Sequence, residues 1–136
     1  MNEARQAFDY IYGDMSLSEN DVAFNVFLEG FNAGSKFEQV EQQVIQWAKD
    51  RQIIPNATPA SQLMKLVSEV GELCDAEGKR NDELIIDAIG DVLVCLINYC
   101  ALRKIDPVVC LEIAYNTIKH RRGTLMPDGT FVKETE

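Results

Sequence analysis

Apolar residues recur every three or four positions along most of the chain, which is the spacing of amphipathic helices. The pattern predicts two short N-terminal helices at residues 3–12 and 20–33, the second ending at Gly34. A third predicted helix covers 36–53 and stops before Pro55. The start of the chain is therefore predicted to be a helical extension.

The middle of the chain predicts two long helices. Thr58 and Pro59 begin one that runs to about Glu77, and a second follows at about 82–104. The second is apolar almost all round, so we expect other helices to cover most of its sides. The first has an apolar face made of Leu63, Leu66, Val67, Val70, Leu73 and Cys74.

A sixth helix and a turn complete the predicted elements. Asp106 is a suitable cap with Pro107 in the first turn, and the pattern "MPDGT" predicts a hairpin or turn near the C-terminus. The fold class is all-α, with an extension at 1–34 and a main domain at 35–136. The predicted buried face of the sixth helix consists of Val108, Leu111, Ala114 and Ile118.

Acidic residues interrupt the two long helices. Asp87, Asp91 and Asn98 fall within about 40° of one another on a helical projection, a narrow polar line on an apolar helix. Glu69 and Glu72 lie three residues apart on the preceding helix, Glu69 at the border of its apolar face. Helices joined by a short loop pack antiparallel, so the two acidic pairs can face each other.

Converging carboxylates repel one another unless cations lie between them, and all-oxygen ligands suit Mg²⁺ or Mn²⁺. The only histidine, His120, lies elsewhere, which disfavours zinc or a di-iron centre. A structural interpretation also stands for each group. Glu-x-x-Glu pairs are common on solvated helices, and Asp87 can be an exposed first-turn residue stabilised by the helix dipole.

Composition narrows the possible functions. The 136 residues fit one domain, and a net charge of −9 argues against a nucleic-acid-binding surface while leaving a small anionic ligand possible. No signal peptide or membrane span is predicted, so we expect a cytoplasmic protein. The four cysteines form no C-x-x-C pair and are predicted to be buried free thiols.

Three segments of the chain are "KLVSEVGELCDA", "DAIGDVLVCLINYCALRKIDP" and "AYNTIKHRRG". Together they resemble the MazG-like nucleoside triphosphate pyrophosphohydrolases of the all-α NTP pyrophosphatase superfamily, in the family's order and spacing over about residues 36–134. The resemblance implies a four-helix-bundle-like MazG fold with an N-terminal helical extension and a short C-terminal hairpin. It also implies assembly as a homodimer or homotetramer.

The resemblance implies that Glu69, Glu72 and Asp91 are metal ligands. The family's motif begins with a further glutamate, where this chain has Ser68. The family's usual fourth ligand falls on Ala88, and the nearest acid is Asp87, one residue earlier. Because positions three and four apart share a helix face, Asp87 is predicted to substitute as the fourth ligand.

The resemblance also implies that Asn116, Lys119 and Arg122 hold the triphosphate, and Lys65 is predicted to bind substrate with them. Arg121 and Arg122 have a structural interpretation, since basic residues at a helix C-terminus complement its dipole. His120 is predicted to be a surface residue rather than a catalyst. Trp47 is predicted to lie in the core, with stacking on a base as the alternative.

The expected reaction is Mg²⁺-dependent hydrolysis of an NTP or dNTP to the monophosphate and pyrophosphate, with Glu69 or Glu72 as the proton acceptor. Two alternatives stay open: another nucleotide substrate, such as phosphoribosyl-ATP or a deoxyuridine nucleotide, and a non-catalytic helical interaction protein. The expected location is the cytoplasm of a bacterial cell, with phage-encoded as well as host-encoded origins open.

Overall fold

The structure, a computed structural model, describes Arg5, Gln6 and residues 17–135, and the chain forms two compact units, residues 1–47 and 48–136. The described part is mostly helical with one small antiparallel sheet, which confirms the predicted all-α class. Its elements are helices α1 (Leu17–Asp50), α2 (Ile53–Asn56), α3 (Pro59–Gly78), α4 (Asp82–Arg103) and α5 (Pro107–Ile118), and strands β1 (Gly123–Leu125) and β2 (Phe131–Lys133).

Helix α1 shows that the predicted break at Gly34 is wrong. The helix continues through this position, joining two segments that were predicted to be separate. A glycine inside a helix costs only about 1 kcal/mol relative to alanine, and the stretch from Leu17 to Asp50 contains no proline to stop the helix. The division of the chain at residue 34 stays a prediction.

The region around α1 departs from expectation in two further ways. Most of the predicted helix at 3–12 lies outside the described residues, although Arg5 and Gln6 are helical. At the other end, Gln52 adopts a left-handed conformation (φ 62°), so α1 ends at Asp50. Trp47 is 46% exposed, so its predicted place in the core is wrong.

Polar side chains cap the starts of α3, α4 and α5, as predicted at Thr58 and Asp106. Thr58 and Ser61 form a reciprocal capping box before α3, and the Asn81 side chain accepts a hydrogen bond from the Leu84 backbone N–H (3.1 Å) at the start of α4. Asp106 caps α5 by accepting from the Val108 N–H at 2.8 Å. A short link joins α3 to α4, and these two helices form the main tertiary contact of the second unit.

The α3–α4 contact places a charged residue among apolar ones. On α3, Glu69 and Ala76 are buried, and Leu66 and Leu73, each three residues before one of them, are half-buried. Glu69 therefore lies within the buried stripe of α3 rather than at its border. The buried residues of α4 are Ala88, Cys95 and Asn98, which share one side of the helix, and Ile97, which lies on the opposite side.

The outer faces of the helices remain exposed within one chain. Ile86 on α4 is 72% exposed, so the expectation that other helices cover most sides of α4 is wrong for the described part of the chain. Helix α5 has no buried residue, so the predicted buried face of Val108, Leu111, Ala114 and Ile118 is wrong as well. The periodicity correctly identified apolar faces, but no described element of the same chain covers them.

A membrane is one environment that covers such faces. Among the described residues, α4 is long and apolar enough to cross a bilayer by length and composition, although core helices of soluble proteins share these properties. Its own pattern includes Asp87 and Asp91, and 22% of its most apolar window is buried against the protein.

The predicted C-terminal hairpin is confirmed. β1 and β2 pair antiparallel, with Gly123 opposite Lys133. The turn between them is closed by the Gly129 N–H, which donates to the Met126 carbonyl at 2.9 Å. The Asp128 carboxylate accepts from the Thr130 N–H at 2.9 Å, and this hydrogen bond lowers the pKa of Asp128.

The four cysteines are free, as predicted, but they differ in burial. Cys95 is buried in the α3–α4 contact and Cys100 is half-buried. Cys74 and Cys110 are exposed, so the prediction that they are buried is wrong. Both lie on helix faces that no described element covers.

Candidate functional site

Three carboxylates converge where α3 packs on α4. Glu69 and Glu72 project from successive turns of α3, and Asp91 projects from α4. One oxygen from each lies within 4.8 Å of the other two. Glu69 is buried, Asp91 is half-buried and Glu72 is exposed, so the group opens from the helix contact toward solvent.

Glu69 lies at the inner end of this group. It is 5% exposed, yet only one of its two carboxylate oxygens has a partner. The Lys65 ammonium bonds Oε1 at 2.5 Å from one turn earlier, whereas Oε2 is buried without a hydrogen-bond partner. Burying an ionised oxygen without a partner is costly, so Oε2 requires a cation or a donor that the described residues do not supply.

The donor set fits a hard divalent cation. Carboxylate oxygens are the ligands that Mg²⁺ and Mn²⁺ prefer, and the group contains no histidine or thiolate. With Mg²⁺–oxygen distances of about 2.1 Å, two ligand oxygens lie at most roughly 4.2 Å apart, so direct ligation by all three requires only small side-chain rotations. Exposed acidic clusters are common, and the orphaned Oε2 of Glu69 distinguishes this one.

The fourth predicted ligand lies apart from the group. Asp87 is exposed and is not among the three converging carboxylates, while Ala88, at the family's usual ligand position, is buried and 4% exposed. The family's usual ligand is a glutamate three residues before the final aspartate, whereas Asp87 lies four residues before Asp91. Its side chain is therefore shorter than the usual glutamate and leaves α4 at a different angle. Metal ligation by Asp87 stays a prediction.

Two further polar side chains, those of Cys95 and Asn98, lie on the buried side of α4, and neither was predicted to belong to the site. Cys95 follows Asp91 by one turn, and burial raises the pKa of its thiol, with a smaller contribution from the Glu69 carboxylate. Asn98 is 2% exposed, and its Oδ1 has no hydrogen-bond partner. Their spacing of four and seven residues from Asp91 was the available signal, because it places all three on one helix face.

The predicted triphosphate-binding residues lie on a separate element. The Lys119 ammonium donates to the Asn116 Oδ1 at 3.0 Å, which confirms that the two side chains share a face of the α5 end. Both are exposed, as is Arg122. In the described part of the chain, α5 approaches α4 but has no close contact with α3, so one chain does not bring these residues together with Glu69 and Glu72.

Comparisons with known proteins yield one distant relative. No protein-family model matches the chain. The chain is 36% identical over 72 residues to an uncharacterized 18.2 kDa protein in the rep-hol intergenic region of Haemophilus phage HP1. The match covers 53% of this chain and 44% of that protein, so the chain spans less than half of its relative. No solved structure matches.

Proposed function

We propose that the protein is a Mg²⁺-dependent nucleoside triphosphate pyrophosphohydrolase of the MazG-like type. The observation that supports this most directly is the orphaned buried Oε2 of Glu69 beside Glu72 and Asp91, an oxygen-only group with an unmet need for positive charge. The resemblance of the sequence motifs contributes the reaction class. The phage relative fits a protein that is phage-encoded or belongs to a bacterial cell.

In the proposed reaction, water attacks the α phosphorus of the nucleotide, the bond from that phosphorus to the bridging oxygen breaks, and pyrophosphate leaves with the bridging oxygen. Glu69, Glu72 and Asp91 would hold the metal, with Asp87 as the predicted fourth ligand. When bound, Mg²⁺ neutralises phosphate charge and lowers the pKa of a coordinated water. Glu69 or Glu72 accepts the proton of the attacking water.

The proposal assigns the phosphates to basic side chains. Lys119, oriented by its hydrogen bond to Asn116, and Arg122 would stabilise charge on the leaving pyrophosphate. Lys65 would contact the substrate from α3, next to Glu69. Because α5 lies apart from α3 in one chain, the proposal includes a homodimer or homotetramer in which the helices of two chains complete the bundle.

A second candidate function is non-catalytic interaction with another protein. The observation that favours it is the exposed apolar surface of α5, where Leu111 is 70% exposed and Ile113 63% exposed. Under this alternative the carboxylates serve solubility, and divalent metal leaves the melting temperature unchanged. Under the enzymatic proposal Mg²⁺ binds the native state and raises the melting temperature.

Product analysis tests the proposed reaction. The full chain is incubated with Mg²⁺ and each common NTP and dNTP, and pyrophosphate is assayed separately from orthophosphate. We expect pyrophosphate with the monophosphate, and we expect Asp91→Asn and Glu72→Gln to abolish turnover while remaining folded. Phosphoribosyl-ATP and dUTP belong to the same panel, because they represent the alternative substrates.

The matched control is Glu77→Gln, which removes another exposed glutamate of α3 outside the acidic group. It should retain full activity. Asp87→Asn addresses the fourth ligand, because loss of activity equal to that of Asp91→Asn would support ligation by Asp87. Release of orthophosphate, or no turnover by folded protein with Mg²⁺ or Mn²⁺, would contradict the proposed reaction.

A further inference from the structure

The acidic group formed by Glu69, Glu72 and Asp91 contains a positive charge of its own. The Lys65 ammonium lies 2.5 Å from Glu69 Oε1, and the Glu72 carboxylate also attracts it. Because residues four apart on a helix are neighbours, α3 itself holds the ammonium beside the carboxylates. The site therefore has one fixed cation before a metal ion binds.

Glu69 uses its two carboxylate oxygens differently. Oε1 pairs with the Lys65 ammonium, whereas Oε2 is buried without a hydrogen-bond partner. In two-metal sites the ions lie about 3.5–4 Å apart, which is close enough for one carboxylate to give one oxygen to each ion. Glu69 has half of this arrangement, with an ammonium group at Oε1 and with Oε2 left for a divalent ion.

The charge of the acidic group matches one divalent ion. At neutral pH three carboxylates and one ammonium leave a net charge of −2. Two divalent ions would bring this charge to +2 and would repel each other at close range, while no further carboxylate of the described residues joins the group. Asp87 is exposed and outside the group, and Ala88, at the family's usual ligand position, has no side-chain oxygen. The charge balance therefore favours a single ion.

We propose that the acidic group binds one divalent ion in the substrate-free protein and that the Lys65 ammonium takes the position of a second ion. The inference rests on the proposed function for the identity of the metal ligands. It adds the number of ions, and it makes Lys65 the residue that determines this number. An ammonium group is not a Lewis acid, so the polarisation of water in the proposed reaction depends on the single ion alone.

Titration of the full chain with Mn²⁺ counts the ions directly. Free Mn²⁺ gives an electron paramagnetic resonance signal that weakens when the ion binds to protein, so the remaining signal gives both the number of bound ions and their affinity. Mn²⁺ is a suitable probe because it prefers the same oxygen ligands as Mg²⁺. We expect one Mn²⁺ per wild-type chain and loss of this binding in Asp91→Asn, which removes one of the three ligands.

Variants of Lys65 test the role of the ammonium. Lys65→Met removes a positive charge next to the ion and should tighten Mn²⁺ binding about tenfold. Lys65→Glu replaces the cation with a fourth carboxylate and should bind two ions per chain, whereas Lys65→Arg keeps the charge and should bind one. Lys79→Met, at an exposed lysine outside the acidic group, is the matched control and should bind one ion with unchanged affinity. Circular dichroism with and without Mn²⁺ establishes that each variant is folded.

The outcomes separate this inference from the proposed function. One ion per wild-type chain with the expected changes in the Lys65 variants, but without hydrolysis of any nucleotide, would support the inference and contradict the proposed reaction alone. Pyrophosphate release by a wild-type chain that binds two ions would do the reverse. Two ions or none in the wild-type protein, unchanged affinity in folded Lys65→Met, or a single ion in folded Lys65→Glu would overturn the inference.

Discussion

A buried carboxylate such as that of Glu69 persists only when cations or donors replace the water it has lost. Lys65 provides one such contact from a side chain that is 58% exposed, and the hydrogen bond to Glu69 raises the pKa of Lys65. A raised pKa in the folded state means that this stabilisation is fully present below 10.5 and disappears as the pH rises through the folded-state pKa. At neutral pH the contact is therefore intact.

The contact between Lys65 and Glu69 predicts a metal-dependent stability effect. Lys65→Met should lower the melting temperature in EDTA, because three neighbouring carboxylates then lack their nearest cation. Saturating Mg²⁺ should reduce the difference, since the ion supplies positive charge to the same oxygens. Thermal melts of both proteins with and without Mg²⁺ measure this, with Lys79→Met as the control. A difference that Mg²⁺ leaves unchanged would show that Lys65 acts through packing alone.

Cysteine burial predicts a second residue-level result. The pKa of Cys95 is raised by burial and by Glu69, so little reactive thiolate is present at neutral pH, whereas Cys74 is exposed. Iodoacetamide should therefore modify Cys74 at least about tenfold faster than Cys95, as measured by peptide mass mapping. Unfolding in urea should remove the difference. Equal rates in native protein would contradict the packing of α4 against α3.

At the scale of elements, local chemistry made several boundaries predictable. Thr58, Asp106 and the Pro-Asp-Gly turn interact only with residues a few positions away, so their effects can be predicted from sequence alone. The structure confirms all three. Gly34 shows the opposite case, because whether a glycine ends a helix depends on whether the flanking segments favour continuing it. The three acids of the site were predictable by spacing, but the burial of Glu69 depends on which face of α3 meets α4.

Gly123 predicts an element-level effect that is separate from the helices. Gly123→Ala should separate β2 from β1, because the added Cβ would overlap the Val132 carbonyl and the Phe131 ring. Hydrogen exchange at the hairpin amides should accelerate while α3 and α4 keep their protection. Gly78→Ala, where a Cβ meets nothing within 4 Å, is the matched control and should be tolerated. Unchanged hairpin protection in Gly123→Ala would contradict the close approach at this position.

At the scale of the whole molecule, the described chain leaves much apolar surface uncovered. Exposed fractions of 70% at Leu111 and 66% at Val67 are large for apolar side chains on regular helices. The spacing of apolar residues predicted these faces but not what covers them, because the spacing in one chain does not indicate which surface packs against it. A second copy of the chain, another protein and a lipid surface are the physically distinct solutions.

The expectation of a homodimer or homotetramer predicts how the molecule behaves in solution. Light scattering after gel filtration without detergent should give the mass of two or four chains, since a stable interface buries about 1,600 Å² and the apolar faces of α3, α4 and α5 can supply it. Leu111→Glu should lower that mass or make it concentration-dependent, because it introduces a charge on the apolar side of α5. Glu112→Gln, the neighbouring exposed residue, should not.

Two results would contradict that expectation in different ways. A stable monomer in detergent-free buffer would leave the apolar faces to a different protein. A second copy of the chain would then not be what brings Lys119 close to Glu69. Protein recovered only with membranes or detergent would instead favour insertion of α4, whose length and composition permit it. A dimer or tetramer that Leu111→Glu dissociates with loss of pyrophosphate release would link assembly to catalysis, because the carboxylates of one chain would then depend on the basic residues of another.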